Sequence, residues 1–279
     1  MKAQLVKDTD PYWPKWDSPW WHMTLLWELG RVKEIPEPTV KKMVADIQGH
    51  YRRFFLPSED PAPETTDPYR EIMCHCGWGT MYQVLQAYGV DVDKELPWVR
   101  PWFLKYQLPD GGLNCADGAY SGSAKSSIVS TLPPMEAMIG AKDLSPEEET
   151  FLDKGADYLL KHKLVCSAKG KVLNEDWLSP FFPRFYEYDE LRGLTFMVKW
   201  SRRRGIILPA ELEPNADRLR RLAARGFPAG RAIWLEEPTL AFEDGKWKTG
   251  CRASKFQLLH ETLENSSIHL RIAWGALSL

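Results

Sequence analysis

Stretches in which almost every position is apolar or small alternate along this chain with stretches that carry an apolar stripe and a charged face. The first kind reads WWHMTLLWELG, CHCGWGTMYQVLQAYG, KSSIVSTLPPMEAMIG and YDELRGLTFMVKWSRRRG, ending at Gly30, Gly89, Gly140 and Gly205, with a weaker fifth copy, SKFQLLHETLE, at 254–264. The second kind reads PTVKKMVADIQGHYRRFF (38–55), DKELPWVRPWFLKYQ (93–107), SPEEETFLDKGADYLLKHK (145–163) and EPNADRLRRLAARG (213–226). A helix buried on most sides needs little polar surface, whereas a helix lying on a core needs one apolar stripe, so the alternation predicts buried helices paired with surface helices. Glycine past the end of a segment is a helix stop. The first three stops are 59 and then 51 residues apart, which predicts a repeat of helical hairpins.

Buried helices are expected near 18–30, 74–89, 125–140, 186–201 and 253–264, with an N-terminal extension over about 1–15 and a C-terminal tail over about 266–279. Two concentric layers follow from this order. Strand signals are sparse: AIWLE (232–236) and SIHLRIAW (267–274) are the best, and each also reads as loop or tail. Long loops rich in Pro and Gly follow the surface segments: PSEDPAPETTDPYRE, PDGGLNCADGAYSGSAKS and GFPAGRAIWLEEPTLAFEDGKWKTGCRASK. Loops of such length in a compact domain are usually functional or disordered, and here they are expected to close one mouth of the helical layers.

One of these junctions, QLPDGGL, carries a resemblance. Gln107, Asp110, Gly111, Gly112 and Leu113 close a surface segment, and Ser126 and Ser127 open the next buried one. The pattern resembles the repeat of the terpenoid cyclase and protein prenyltransferase superfamily. The resemblance implies an all-α fold, an α/α toroid of about five helical hairpins, forming a single domain over 1–279. The physics of the stretch agrees, because the glycines permit a left-handed turn while the Gln and Asp side chains can bond the orphaned backbone groups of a helix end. The catalytic motifs of the superfamily do not follow. The Asp-x-Asp-Asp acid of squalene cyclases has no copy here; Asp91-Val92-Asp93 comes nearest and reads as a turn and helix cap. The zinc set of protein prenyltransferases is an Asp, a Cys and a later His. Asn114-Cys115 with Asp117 lie in a comparable loop and His260 in a later buried segment, but nothing in the sequence joins them into a set.

Composition narrows the partners. The 36 basic and 38 acidic residues leave a formal charge of -2, so no global field recommends nucleic acid or an anionic membrane. Arg202-Arg203-Arg204 and Arg218, Arg220 and Arg221 read as solvated helix faces. Five cysteines without scaffold spacing, and an N-terminus with no apolar run behind its lysines, point to a cytoplasmic setting. No stretch reaches the roughly 18 apolar residues of a membrane span. The 13 Trp, 10 Tyr and 11 Phe are a heavy aromatic load, which fits a lined apolar cavity and makes an apolar small molecule the expected partner. No motif names a cofactor or an oligomeric state.

Two clusters carry candidate chemistry. Cys74-His75-Cys76 offers good zinc ligands, yet on a helix residues 74 and 76 point about 200° apart, so packing is expected and no metal. His75, and His22 in the first buried segment, are expected to face a ligand cavity. In Phe182-Pro183-Arg184-Phe185-Tyr186-Glu187-Tyr188-Asp189-Glu190, acids alternate with aromatics at the start of a buried helix. Asp189 and Glu187 are the candidate acids, and Tyr186, Tyr188, Trp177 and Phe182 the candidate rings around an isoprenoid-like ligand. Pairing of Arg184 or Arg192 with Asp189 argues instead for a buried ion pair without acid chemistry. Three function classes stay open: an isoprenoid-binding or cyclising toroid, a carbohydrate-active toroid using Glu187, Asp189 and Glu175 or Asp176, and a non-catalytic binding scaffold.

Overall fold

A computed structural model of the chain describes residues 10–50, 74–120, 125–228, 238–243, 246–251 and 254–277. The described residues are mostly helical, with a single two-stranded hairpin. The long helices are α1 (Pro19–Glu28), α2 (Glu37–His50), α3 (His75–Tyr88), α4 (Val99–Lys105), α5 (Ile128–Ile139), α6 (Pro146–Lys161), α7 (Glu190–Arg204), α8 (Glu213–Arg225), α9 (Gln257–Glu264) and α10 (Ser266–Gly275). Each expected buried segment forms a helix within a few residues of its expected limits. The surface segment 93–107 is broken at Pro97 into a single turn, Val92–Glu95, and α4, because a ring without an N–H cannot extend the turn before it.

The buried helices pack in succession, α1 on α3, α3 on α5 and α5 on α7, while α2, α6 and α8 lie against α1, α5 and α7. One core cluster runs through all of them, from Trp20, Trp21 and Met23 through Trp78 and Met81 to Leu132, Met135, Leu194 and Met197. The tightest approach is α3 on α5. A Cβ built at Gly79 would lie 2.4 Å from the Pro133 carbonyl carbon and 2.5 Å from the Pro134 nitrogen. Glycine at 79 therefore sets the spacing of these two helices, and Gln83, one turn on, donates to the Pro133 carbonyl at 3.3 Å.

QLPDGGL is a staple between elements. Gln107 donates to the Gly111 carbonyl and to the Phe151 carbonyl of α6, both at 2.8 Å. Asp110 accepts from the Gly112 and Ser126 backbones at 3.3 and 3.1 Å and from the Ser126 hydroxyl. Gly111 has φ +96, and a Cβ there would fall 2.2 Å from the Lys154 carbonyl oxygen, so both its conformation and its space demand glycine. Asp91 caps its short helix by accepting from the Lys94 N–H at 3.2 Å, the structural role expected for it.

Several expectations are corrected. The stretch from 266 is a helix, neither tail nor strand: Ser266, Leu270 and Leu277 are buried and Ala273 and Trp274 pack on the core, a spacing of three and four. Residues 10–16 belong to the fold, since Trp16 is in the core and the Trp21 indole donates to the Tyr12 carbonyl at 2.8 Å. Gly140 ends α5 with φ -80, an ordinary right-handed conformation. The basic clusters lie on exposed or half-exposed helix faces, as expected, and carry ion pairs there: Arg203 with Glu149, Arg204 with Glu149 and Asp153, and Arg218 with the fully buried Glu190. Strands Pro238–Glu243 and Lys246–Cys251 pair antiparallel, flanking an Asp244-Gly245 dipeptide that is itself a hairpin signal. AIWLE and the loop at 57–71 lie outside the described residues.

The segment before α1 is bonded to later parts of the chain. Ser254 donates to Asp17 at 2.8 Å and to the Trp16 carbonyl at 3.3 Å, and the Lys15 N–H donates to Thr239 at 2.7 Å. No helix of the described residues is long and apolar enough to cross a membrane.

Candidate functional site

Acidic side chains inside otherwise apolar helices line a cleft among the described residues. Glu28 ends α1 and Glu136 sits near the end of α5; with Arg184, Arg192 and Lys199 they line a cavity of about 440 Å³. Its apolar wall is Trp27, Leu29, Phe182, Ile272 and Ala273, and Gln83, Thr195 and His269 complete it. The cleft thus lies where the C-terminal ends of α1 and α5 meet the sides of α3, α7 and α10.

The segment before α7 is held by charge. Glu28 accepts the Arg184 N–H at 2.7 Å and the Phe185 N–H at 2.5 Å. Burial raises its pKa, while those two bonds and the nearby guanidinium groups of Arg192 and Arg184 act the other way. Phe185 has φ +53, an uncommon backbone for a bulky residue, and the Glu28 carboxylate fixes the turn that contains it. Arg192, buried on α7, forks onto Glu136 at 2.7 to 3.2 Å and donates to the Glu187 and Phe185 carbonyls at 2.8 and 3.4 Å. Arg184 donates from Nε to Asp189 at 2.7 Å, but its Nη2 is buried without a hydrogen-bond partner. An unsatisfied buried guanidinium nitrogen costs free energy, so a ligand acceptor there is favoured.

The sequence-derived site residues do not converge on one cavity. Asp189 is fully buried, caps α7 by accepting the Arg192 N–H at 2.8 Å and pairs with Arg184, so both carboxylate oxygens are engaged. Tyr188 donates to the Leu164 carbonyl at 2.9 Å, lies across Gly193 and packs edge-on against Trp177. Tyr186 sits among Lys15, Trp16 and Trp21. Glu187 is half-buried beside the turn, and Glu175 and Asp176 are exposed on a short helical turn. Phe182 alone of the named set lines the cleft, stacked on His269 with ring centroids 4.7 Å apart. His22 stacks on Phe256 at 3.6 Å, and burial lowers its pKa to about 4. His75 stacks on Trp102 at 4.2 Å. His260 bonds the Ser254 carbonyl at 2.7 Å, and the side chain of Asp117 lies outside the described residues.

Glu28, Glu136, Lys199 and His269 escaped the sequence reading. Two of them left a signal: a single acid within WWHMTLLWELG and within STLPPMEAMIG is out of place in a buried helix unless it has a partner. Comparisons of the chain with protein-family models, with curated proteins and with solved structures return no match.

Proposed function

We propose that the chain is an α/α toroid of the squalene cyclase and prenyltransferase type that holds an amphiphilic, isoprenoid-like ligand in this cleft. The QLPDGGL staple, the succession of buried helices and the bonds from residues 15–17 to Thr239 and Ser254 support the toroid. The single observation that carries the ligand class is one cleft lined both by Arg184, whose Nη2 is buried without a hydrogen-bond partner, and by Trp27, Phe182, Ile272 and Ala273. Lys199 adds a second exposed cation at the same cleft. An anionic head, a diphosphate or carboxylate, completes the donors while the apolar body covers the aromatic wall. Asp189 has both carboxylate oxygens engaged, by the Arg192 N–H and by Arg184, so the reading is one of binding, with no reaction assigned.

The test is calorimetric titration with farnesyl diphosphate, farnesol, inorganic diphosphate and a panel of oligosaccharides. Farnesyl diphosphate should bind more tightly than either of its parts. Lys199→Ala, on an exposed side chain, should weaken it by about fivefold or more, the worth of one charge-assisted contact. Oligosaccharide binding without polyprenyl binding would replace this reading with the carbohydrate one, for which Glu28 and Glu136 supply two carboxylates on one cleft.

A further inference from the structure

Away from the cleft, three cysteine sulfurs meet at the start of α3. Cys76 Sγ lies 3.6 Å from Cys74 Sγ and 3.7 Å from Cys115 Sγ, and all three lie within 4.8 Å of one another. The expected divergence of residues 74 and 76 assumed that both are helical. Cys74 is instead the cap of α3, with φ -141 and ψ 71, and this non-helical backbone leaves its thiol on the side of Cys76. The third sulfur is delivered by the loop behind the QLPDGGL staple: the Leu113 N–H donates to Thr131 at 2.8 Å and the Cys115 N–H to Ser130 at 3.1 Å, which seats the loop on α5.

Zinc bonded tetrahedrally to thiolates at about 2.3 Å sets sulfur–sulfur edges of about 3.8 Å. Two edges of the triangle already have nearly that length, and the third needs a shift of about 1 Å at most. Two of the sulfurs sit at the N-terminal end of a 14-residue helix. His75 ties the start of α3 to the loop that carries Cys115. Its Nδ1 lies 3.0 Å from the Asn114 carbonyl, which can only accept, so Nδ1 carries the proton. The rest of the ring is stacked on Trp102. All three cysteines are half-buried, open enough for an ion to enter.

We infer that Cys74, Cys76 and Cys115 form a three-thiolate site for a zinc ion, with the fourth corner left to solvent or an exogenous ligand. The ion joins the start of α3 to the loop entering α5, beyond the ligand cleft and independent of it. Loading releases the thiol protons, so affinity rises with pH.

The experiment uses the full chain, reduced and stripped with a chelator, then titrated with zinc against a chromophoric competitor and separately with cobalt. One zinc per chain is expected, and cobalt should give the intense visible absorption of tetrahedral thiolate coordination. Cys76→Ser and Cys115→Ser should each weaken zinc by tenfold or more, whereas Cys166→Ser, outside the cluster, should leave it unchanged. Peptide mass mapping of alkylated wild type keeps the test decisive if a variant misfolds: zinc should shield Cys74, Cys76 and Cys115 and leave Cys166 reactive. Equal alkylation of all four with and without zinc overturns the site. So does a disulfide formed among the three on mild oxidation of a protein that takes no zinc when reduced, and uptake of Cu(I) without zinc overturns the choice of metal.

Discussion

His22 gives the sharpest test of the packing around α1. Its ring lies flat on Phe256 at 3.6 Å, and neither nitrogen meets a partner at hydrogen-bond geometry. Burial disfavours the imidazolium more than the nearby Asp17 carboxylate and Trp16 carbonyl favour it, so the pKa falls from 6.5 to about 4. The unfolded chain takes up a proton near 6.5 and the folded chain only near 4. The stability gained by keeping the ring neutral is therefore complete above pH 6.5 and is lost as pH falls through this window. The loss is about 2 kcal/mol at pH 5 and about 3 kcal/mol by pH 4. His22→Phe keeps a ring against Phe256 and removes the titration. Urea midpoints and Tm should be compared for both proteins at about pH 7.5 and pH 5. Wild type should lose about 2 kcal/mol more than the variant over this interval, equivalent to roughly 4 to 8 °C in Tm. Groups that titrate in both proteins cancel in the difference. Equal losses in the two would show that His22 is hydrated or paired in the folded state, and the reasoning would fail.

Glycine substitutions should split in sign. Gly79→Ala drives a methyl into the Pro133–Pro134 backbone and should lower stability by about 2 kcal/mol or more, while Gly49→Ala, exposed in α2 with nothing within 4 Å, should raise it by up to about 1 kcal/mol, both read by urea denaturation. Asp189→Ala removes a cap and half of a buried ion pair and should cost about 3 to 5 kcal/mol; Asp189→Asn, which keeps the cap, should cost less by about 1 kcal/mol. Gln107→Leu leaves the Gly111 and Phe151 carbonyls without their shared donor and should cost about 1 to 3 kcal/mol by thermal melting.

Helices and their stops were legible because they rest on local rules. Three- and four-residue periodicity selects the buried face, a glycine ends the turn, and the bonds of QLPDGGL join residues close to one another or to the very next helices. The capping role of Asp91 and the alternative pairing of Arg184 with Asp189 were also within reach of neighbouring residues. What the sequence did not disclose depends on residues far apart in the chain. Glu28 reaches Arg184 and Phe185 across more than a hundred and fifty positions, and Glu136 reaches Arg192 across 56, so the cleft exists only once α1, α5 and α7 are packed. Periodicity records how much of a side chain is buried, but not which distant group it meets. Cys74 makes the same point at short range: one backbone angle at a helix cap decides whether it points away from Cys76 or toward it. That angle is set by the tertiary seat of the helix start, where Asn114 and Cys115 close over it.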